Sequence, residues 1–441
     1  MVKKLLSLFS GCGGMDLGFD GGFKVHVNLV NSSINPHWIT GELNKQVMLA
    51  KNDFELIFAN DIVRAARNAW VSYFTKREIN PTTFHLGSIV DLVKSSEVGK
   101  FNFPSNVDIV TGGFPCQDFS VAGKRKGFNS HKSHRGENLD EIDSTENRGQ
   151  LYQWMKKVIE ITNPKVFIAE NVKGLVSLSN AKSIIQSDFE LIGEYGYIVL
   201  AKVVFAPDYG IPQMRERIFF IGLNKQYLRP EALMALQQPI VTPAFDPFPP
   251  KTHTKIESQG SLFDSLLSLK PYTKVGAVLE SLHEPEQELQ DLAQMKYSKA
   301  KYCGKHQGQI EINLDGLAPT IRSEHHGNIE YRRLSLEHGG RYINELNQGL
   351  RERRLTVREC ARIQTFPDDY EFVRESKDDF QLGASSSYKL IGNAVPPFLA
   401  YHFAKRLENI WESLFLNIQL IAARSTLLGS LFLFWLQQGR T

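Results

Sequence analysis

Six short apolar runs in the first half of the chain constrain its fold more than any other feature. They occupy residues 4–9, 56–59, 107–110, 166–169, 199–205 and 218–221. The segments between them are long enough to contain crossover helices, and residues 151–161 show a helical pattern. This alternation predicts an α/β fold with a doubly wound, mostly parallel sheet.

The pattern changes after residue 223. Five prolines between residues 239 and 250 interrupt helices and central strands, and no sustained period follows as far as residue 353. Helical patterns return in TVRECARIQTF and at residues 397–414. We therefore predict a larger domain of residues 1–223 that is completed by residues 385–412, a smaller loop-rich domain of residues 224–384, and an atypical tail at residues 413–441.

Composition restricts the class of protein only loosely. The formal net charge of +3 identifies no polyanionic partner, and the four cysteines include no CxxC pair. Because the N-terminus lacks the features of a signal peptide, we expect a soluble, cytoplasmic protein. The apolar stretch at residues 427–436 is shorter than the ~20 residues that a membrane span needs, so no transmembrane helix is predicted.

A glycine-rich turn follows the first apolar run. Gly11 and Gly13 lie where a tight turn brings backbone N–H groups towards a ligand, and Asp61 ends the second run with a carboxylate suited to ribose hydroxyls. The spacing departs from the GxGxxG pattern of dinucleotide-binding proteins. A turn that serves only packing remains the alternative interpretation.

The segment TGGFPCQDFSVAGKRKG follows the third run, at the edge of the sheet where ligands collect. Cys116 is therefore a candidate nucleophile, and the neighbouring Lys124 and Arg125 favour its thiolate form. A lone cysteine is otherwise usually a small buried side chain.

Three further charged residues lie next to apolar runs. Glu170 in AENVKGL can hold a proton against a ring nitrogen, and Arg215 and Arg217 in PQMRERIFFIG can bind a ring oxygen or a phosphate. An arginine pair at this position can also be a solvated strand edge. Their joint occurrence at strand ends indicates a catalytic site.

These segments resemble the DNA cytosine-5 methyltransferases of type II restriction–modification systems, in that family's order. The matching segments are LLSLFSGCGGMDLGF, FANDI, GGFPCQDFSVAGKRKG, AENVKGL, DYGIPQMRERIFFIG, RRLTVRECARIQTFPDDYEF and YKLIGNAVPP. The resemblance implies that Cys116 attacks C6 of a flipped-out cytosine, that Glu170 binds N3 and the exocyclic amine, and that Arg217 contacts the base oxygen, with Arg215 nearby.

The resemblance also implies S-adenosylmethionine as the cofactor and predicts no metal. The cofactor-binding residues that it implies are Phe9, Gly11, Gly13, Asp61, Ile62 and Asn393. Where the family commonly has an aspartate that meets the adenine amine, this chain reads GSI, which places Ser88 there. Two further departures are an insertion of unknown purpose at residues 31–51 and the tail.

Double-stranded DNA is the predicted partner. The residues that we expect to bind it are Gln117, Ser120, Lys124, Arg125, Arg322, His325, Arg332 and Arg333, any of which can instead be structural. The stretch IRSEHHGNIEYRRLSLEHGG resembles members that modify palindromes of the GGNNCC type. The family further implies that the enzyme protects DNA from a partner restriction endonuclease, without a stable complex. We expect a monomer, because one chain carries both the catalytic and the recognition parts.

Three other functions are compatible with parts of the sequence. The same chemistry acts on transfer RNA in one branch of the family, although the separate recognition region favours duplex DNA. A non-enzymatic DNA-binding relative is disfavoured by Cys116 and Glu170. A nicotinamide-dependent oxidoreductase would rest on the glycine-rich turn alone.

Overall fold

The computed structural model describes residues 2–115, 150–178, 180–255, 268–304, 306, 308–323, 329–375 and 381–416. The strands are β1 (Lys3–Leu8), β2 (Lys24–His26), β3 (Ile39–Leu43), β4 (Gln46–Leu49), β5 (Phe54–Asp61), β6 (Phe84–Leu86), β7 (Ile109–Gly113), β8 (Val166–Val172), β9 (Tyr197–Phe205), β10 (Glu216–Asn224), β11 (His253–Thr254), β12 (Lys270–Pro271), β13 (Tyr331–Arg333) and β14 (Arg353–Arg354). The helices are α1 (Gly14–Asp20), α2 (Arg64–Phe74), α3 (Ile89–Glu97), α4 (Leu151–Thr162), α5 (Ala181–Glu190), α6 (Pro230–Leu236), α7 (Val275–Leu279), α8 (Leu292–Met295), α9 (Ile343–Asn347), α10 (Val357–Ile363), α11 (Ala384–Asn393) and α12 (Pro397–Leu414).

A seven-stranded sheet with the order β6-β5-β1-β7-β8-β10-β9 forms the centre of the molecule. β10 is antiparallel to both of its neighbours, and the other neighbouring pairs are parallel. The doubly wound, mostly parallel sheet predicted from the sequence is therefore confirmed. The six apolar runs correspond to β1, β5, β7, β8, β9 and β10, whereas the three-residue β6 was not predicted.

The sheet buries both of its faces. Leu5 and Leu6, successive residues of β1, lie in two different apolar cores because neighbouring side chains of a strand point to opposite faces. One core includes residues of α1, α2 and α12, and the other includes residues of α3, α4 and α5. This two-sided burial explains why the strands appear in the sequence as continuous apolar runs.

The insertion at residues 31–51 belongs to a small antiparallel sheet of order β2-β4-β3. Trp38 packs edge-on against Phe398 and Tyr401 of α12. The Asn31 amide donates hydrogen bonds to the carbonyls of Thr252 and Ser268, each at 2.9 Å. The insertion thus connects the first crossover to the last helix and to the start of the smaller region.

The C-terminal helix closes one face of the sheet against α1. A Cβ atom on Gly18 would lie 2.4 Å from the Cβ atom of Ala400, so only glycine permits this approach. The same apolar core continues into the smaller region through Ile321 and Leu355. Within the described residues, no helix is both long enough and apolar enough to cross a membrane. The apolar stretch at residues 427–436 lies outside them.

Candidate active site

The candidate site lies at the edge where the parallel strands have their carboxyl ends. β1 and β7 are neighbours, but the chain leaves β1 towards β5 and leaves β7 towards β8. Such a reversal opens a crevice between the two strand ends, and ligands of doubly wound sheets bind in that crevice. The turn after β1 and the carboxyl end of β7 therefore face a common space.

Backbone hydrogen bonds fix the glycine-rich turn after β1. Ser10 donates its N–H to the carbonyl of Asn60 at 2.8 Å, and Gly13 donates to the carbonyl of Ser10 at 2.8 Å. Gly11 and Gly13 have φ angles of 55° and 75°, which favour glycine. A Cβ atom on Gly13 would also lie 2.5 Å from the Phe74 ring, whereas one on Gly11 would meet open space.

Asp61 joins the end of β5 to this turn. One carboxylate oxygen accepts the N–H of Gly11, and the other accepts the N–H of Val63, each at 2.9 Å. Burial raises the pKa of Asp61, and these backbone hydrogen bonds oppose the shift. The carboxyl group therefore has a fixed position beside the one glycine of the turn that has open space around it.

Exposed apolar side chains accompany this carboxylate. Ile62 is 46% exposed and Leu86, at the end of β6, is 42% exposed. Leu86 is the register partner of Asp61, so the two strand ends lie side by side. A fixed hydrogen-bond acceptor beside apolar surface suits a nucleoside, which combines ribose hydroxyls with a flat base.

The other predicted cofactor residues lie around the same turn. Phe9 has a φ of 52° and is partly buried, and Asn393 is exposed at the end of α11. The hydroxyl of Ser88 accepts the N–H of Val90 at 3.2 Å and caps α3, so it already has a structural role. A Cβ atom on Gly14 would lie 2.3 Å from the carbonyl oxygen of Val395, which shows how closely the segment after Asn393 approaches the turn.

Glu170 and Arg217 form an ion pair across β8 and β10. Nε of Arg217 lies 3.0 Å from Oε1 of Glu170, which is 7% exposed. Burial raises the pKa of Glu170, and the charges of Arg217 and Arg215 oppose the shift. A buried carboxyl group with a raised pKa is suited to holding or transferring a proton.

Asn171 anchors the loop that leads to Cys116. Its amide donates to the carbonyl of Phe114 at 3.0 Å and accepts the N–H of Val172 at 2.8 Å. A Cβ atom on Gly113 would lie 3.2 Å from Oε2 of Glu170, so the end of β7 runs close to this carboxylate. Cys116, Gln117, Ser120, Lys124 and Arg125 lie outside the described residues.

Arg215 is held in the interior, at 1% exposure. Its terminal nitrogens donate to the carbonyls of Ile321 at 3.1 Å, Gly392 at 3.0 Å and Ala394 at 2.9 Å. These contacts give Arg215 a positioning role between three segments. Its catalytic role stays a prediction that these contacts do not support.

The three predicted DNA-binding arginines within the described residues, Arg322, Arg332 and Arg333, are engaged in ion pairs. Arg333 is fully buried and contacts Glu284 at 2.8 Å and Glu345 at 2.6 Å. Arg332 also pairs with Glu345, at 2.8 Å, and Arg322 pairs with Glu330 at 3.1 Å. The structure does not support a DNA-binding role for Arg333, because its guanidinium has no exposed surface. His325 lies outside the described residues.

Sequence reasoning missed three buried amides near the site. Asn171, Gln213 and Gln364 are each 0% exposed and hydrogen-bonded on both sides. All three lie within segments that resemble the family, namely ENV, QMRER and ARIQTF, and this was the only sequence feature that pointed to them. Within the described ranges, no group of three His, Cys, Asp or Glu side chains is arranged to bind a metal ion.

Comparison with known proteins places these features in a family. Residues 3–409 match the family described as C-5 cytosine-specific DNA methylase. Type II methyltransferase M.FnuDI of Fusobacterium nucleatum is 28% identical over 409 residues, which cover 92% of this chain and 94% of that protein. Type II methyltransferase M.BsuRI of Bacillus subtilis is 27% identical, with coverage of 92% and 79%.

A solved structure shares the fold. The S. pombe Dnmt2 methyltransferase superposes with a TM-score of 0.50 at 15% identity, covering 92% of this chain and 98% of that one. The family match spans most of the chain and includes every described strand of the central sheet. The chain therefore belongs to the C-5 cytosine-specific DNA methylase family and is a DNA (cytosine-5-)-methyltransferase.

Proposed function

We propose that this enzyme methylates a cytosine swung out of duplex DNA, through a covalent bond between Cys116 and C6 of the base. The observation that carries the proposal is the buried Glu170–Arg217 pair beside the end of β7, the strand that leads to Cys116. An acid and a cation on neighbouring strands provide complementary groups for the edge of a cytosine. The base must leave the stack because C6 cannot be reached inside a duplex.

We infer that S-adenosylmethionine is the methyl donor. The fixed carboxylate of Asp61, the open space at Gly11 and the exposed Ile62 fit a nucleoside. The proposed cofactor-binding set is completed by Phe9, Gly13, Ser88 and Asn393. The Ser88 hydroxyl already accepts the N–H of Val90, so one of its acceptor positions is occupied. When bound, this cofactor supplies an electrophilic methyl group on a sulfonium.

In the proposed mechanism, the Cys116 thiolate adds to C6 and shifts electron density to C5. Glu170 holds a proton at N3, which stabilises the ring while the sulfur is attached, and its raised pKa favours that protonated form. Arg217 contacts the base oxygen and orients Glu170. Once the methyl group has passed to C5 and the donor sulfonium has become a neutral thioether, the C5 proton passes to water. Expulsion of the Cys116 thiolate from C6 then restores the aromatic ring.

Domain organisation and biological setting follow from the same proposal. We infer that residues 1–223 with 385–412 form the catalytic domain, because α12 packs on α1, and that residues 224–384 recognise the target. Arg322 and Arg332 remain candidates for DNA contact, and a GGNNCC-type target remains a hypothesis. The relatives named as type II methyltransferases support pairing with a restriction endonuclease, and we propose a cytoplasmic monomer.

The deciding experiment combines radiolabelled S-adenosylmethionine with duplex DNA and with duplex DNA that contains 5-fluorocytosine, which blocks loss of the final proton. We expect label on the DNA and, with 5-fluorocytosine, a trapped adduct at Cys116. Cys116→Ser should abolish transfer and leave cofactor binding intact. Full activity of that variant would refute the mechanism. If a parallel reaction labelled transfer RNA and duplex DNA stayed unlabelled, the substrate would be RNA and not DNA.

A further inference from the structure

Two buried glutamines complete a closed ring of hydrogen bonds between four segments. The N–H of Ile321 donates to Oε1 of Gln213 at 3.0 Å, and Nε2 of Gln213 donates to Oε1 of Gln364 at 2.6 Å. Nε2 of Gln364 donates to the carbonyl of Ala394 at 2.5 Å. Arg215 closes the ring, because it donates to the carbonyls of both Ala394 and Ile321.

The two fixed ends of this chain of hydrogen bonds determine the orientation of both amides. The N–H of Ile321 can only donate, so Gln213 must present its oxygen to it. The carbonyl of Ala394 can only accept, so Gln364 must present its nitrogen there. Gln213 and Gln364 are both 0% exposed, and water therefore cannot replace a lost partner from outside.

The ring lies where three functional segments meet. Ile321 precedes Arg322 in the recognition region, and Ala394 follows Asn393 beside the glycine-rich turn. Arg215 lies two residues before Arg217, which pairs with Glu170. The segments also touch directly, since a Cβ atom on Gly392 would lie 2.1 Å from the carbonyl carbon of Arg322.

We propose that the Gln213–Gln364 pair is a positioning device that sets the recognition segment 318–323 in register with the base-binding pair and the cofactor turn. Neither glutamine touches the base in this scheme. The proposal rests on the proposed methyltransferase function, because it assigns to these amides the alignment of the parts that this function uses. A shift of about 1 Å in such an alignment costs about 100-fold in rate.

The test exploits the direction of the hydrogen bonds. Gln213→Glu keeps the acceptor for Ile321 but, when ionised, loses the donor to Gln364, and protonation restores that donor. Gln213→Met has a similar volume and cannot regain a donor at any pH. Gln294→Met is the matched control, because Gln294 is also a 0% exposed, hydrogen-bonded glutamine but lies outside the ring.

We would measure single-turnover methylation of unmethylated duplex DNA of mixed sequence at pH 6 and pH 8, relative to wild type. We expect Gln213→Glu to be about 100-fold slower at pH 8 and largely restored at pH 6. Gln213→Met should be equally slow at both pH values, and Gln294→Met should keep the wild-type rate. Equal pH responses of Gln213→Glu and Gln213→Met, or wild-type rates for both, would overturn the proposal.

Hydrogen exchange of the free protein separates this inference from the proposed function. Relative to wild type, exchange in residues 318–323 and 390–395 should accelerate together in Gln213→Met, and in Gln213→Glu at pH 8 but not at pH 6. If the wild-type enzyme labels no DNA, the proposed function is refuted. The exchange pattern would still test the hydrogen-bond ring, because it requires no methyl transfer. Unchanged exchange in both segments would refute the ring itself.

Discussion

The edge of the sheet around Asp61, which is the proposed cofactor edge, and residues 224–384, which are the proposed recognition region, present polar groups in opposite ways. At the cofactor edge, Asp61 and the turn at Gly11 leave a fixed acceptor next to open space. In the recognition region, Arg333 and Arg353 are buried and paired, and both contact Glu284. A ligand site can therefore be inferred from residues whose backbone geometry is constrained. The number of arginines in a segment does not indicate which of them are free to bind DNA.

The largest effect that would sharpen this comparison is expected from Glu170→Gln. The amide cannot serve as a proton donor to a ring nitrogen in the way that a carboxylic acid can, so methyl transfer should fall by about 10²–10⁴-fold. Cofactor affinity, measured by calorimetry, should not change, because in the proposed mechanism Glu170 binds the base and not the cofactor. Wild-type turnover in a label-transfer assay would contradict the proton-holding role.

The second prediction concerns Arg333→Leu, which leaves two carboxylates of the recognition region without this partner. We expect the free energy of unfolding to fall by about 3–5 kcal/mol. Arg351→Leu is the control, because this exposed residue carries the same charge and its replacement should change stability by less than about 0.5 kcal/mol. If Arg333→Leu left the melting temperature unchanged and weakened the salt dependence of DNA binding, Arg333 would bind DNA and would not be a structural residue.

The same ion pairs predict acid sensitivity. Burial of Glu284 opposes its ionisation, but Arg353 and Arg333 outweigh that effect and hold its pKa at about 2, below the ordinary 4.5. The stability from these pairs is present above pH 4.5 and is lost as the pH falls towards 2. In Arg333→Leu, this part of the acid transition should begin at a higher pH.

The third prediction tests the cofactor edge itself. Asp61→Asn keeps one acceptor oxygen but loses the charge and the second acceptor, so affinity for S-adenosylmethionine should fall by about 10–100-fold. Asp53→Asn, an exposed carboxylate at the other end of β5, should leave the affinity unchanged. Equal affinities for Asp61→Asn and wild type in equilibrium titration would remove Asp61 from the cofactor site.

The smallest effect is expected from Asp16→Asn beneath the glycine-rich turn. Burial raises the pKa of Asp16 from 3.8 to about 6, against hydrogen bonds from Ser7 and Trp70. Stability from this group is therefore fully present below pH 3.8 and lost as the pH rises through 6. The shift alone corresponds to about 3 kcal/mol at pH 8. Because the amide keeps only one of the two acceptors, Asp16→Asn should stabilise the protein by about 1–2 kcal/mol at that pH. At pH 4 the free energy of unfolding should show no gain. An equal gain at pH 4 and pH 8 would contradict the raised pKa of Asp16.

The sequence was sufficient for the central sheet because both of its faces are buried. Strands such as β5 and β8 therefore appear as apolar runs, and the carboxyl-terminal parts of these two strands located Asp61 and Glu170. β6 was missed because three residues are too few to show a pattern. Long-range partners were equally invisible: Glu284, which pairs with Arg333, lies 49 residues earlier in the chain. Without the family resemblance, Arg215 could not be distinguished from Arg217, because both occur in one short motif and only their contacts differ.

The close approach of Gly18 to Ala400 has a consequence for synthesis of the enzyme. The glycine-rich turn emerges from the ribosome first, but the helix that packs behind it is made about 380 residues later. At about 5–20 residues per second, the two are separated by roughly 20–80 s of translation. In a nascent chain, the surface of α1 around Gly18 therefore lacks its α12 partner throughout that interval, and the packing behind the glycine-rich turn can be completed only after translation has passed α12.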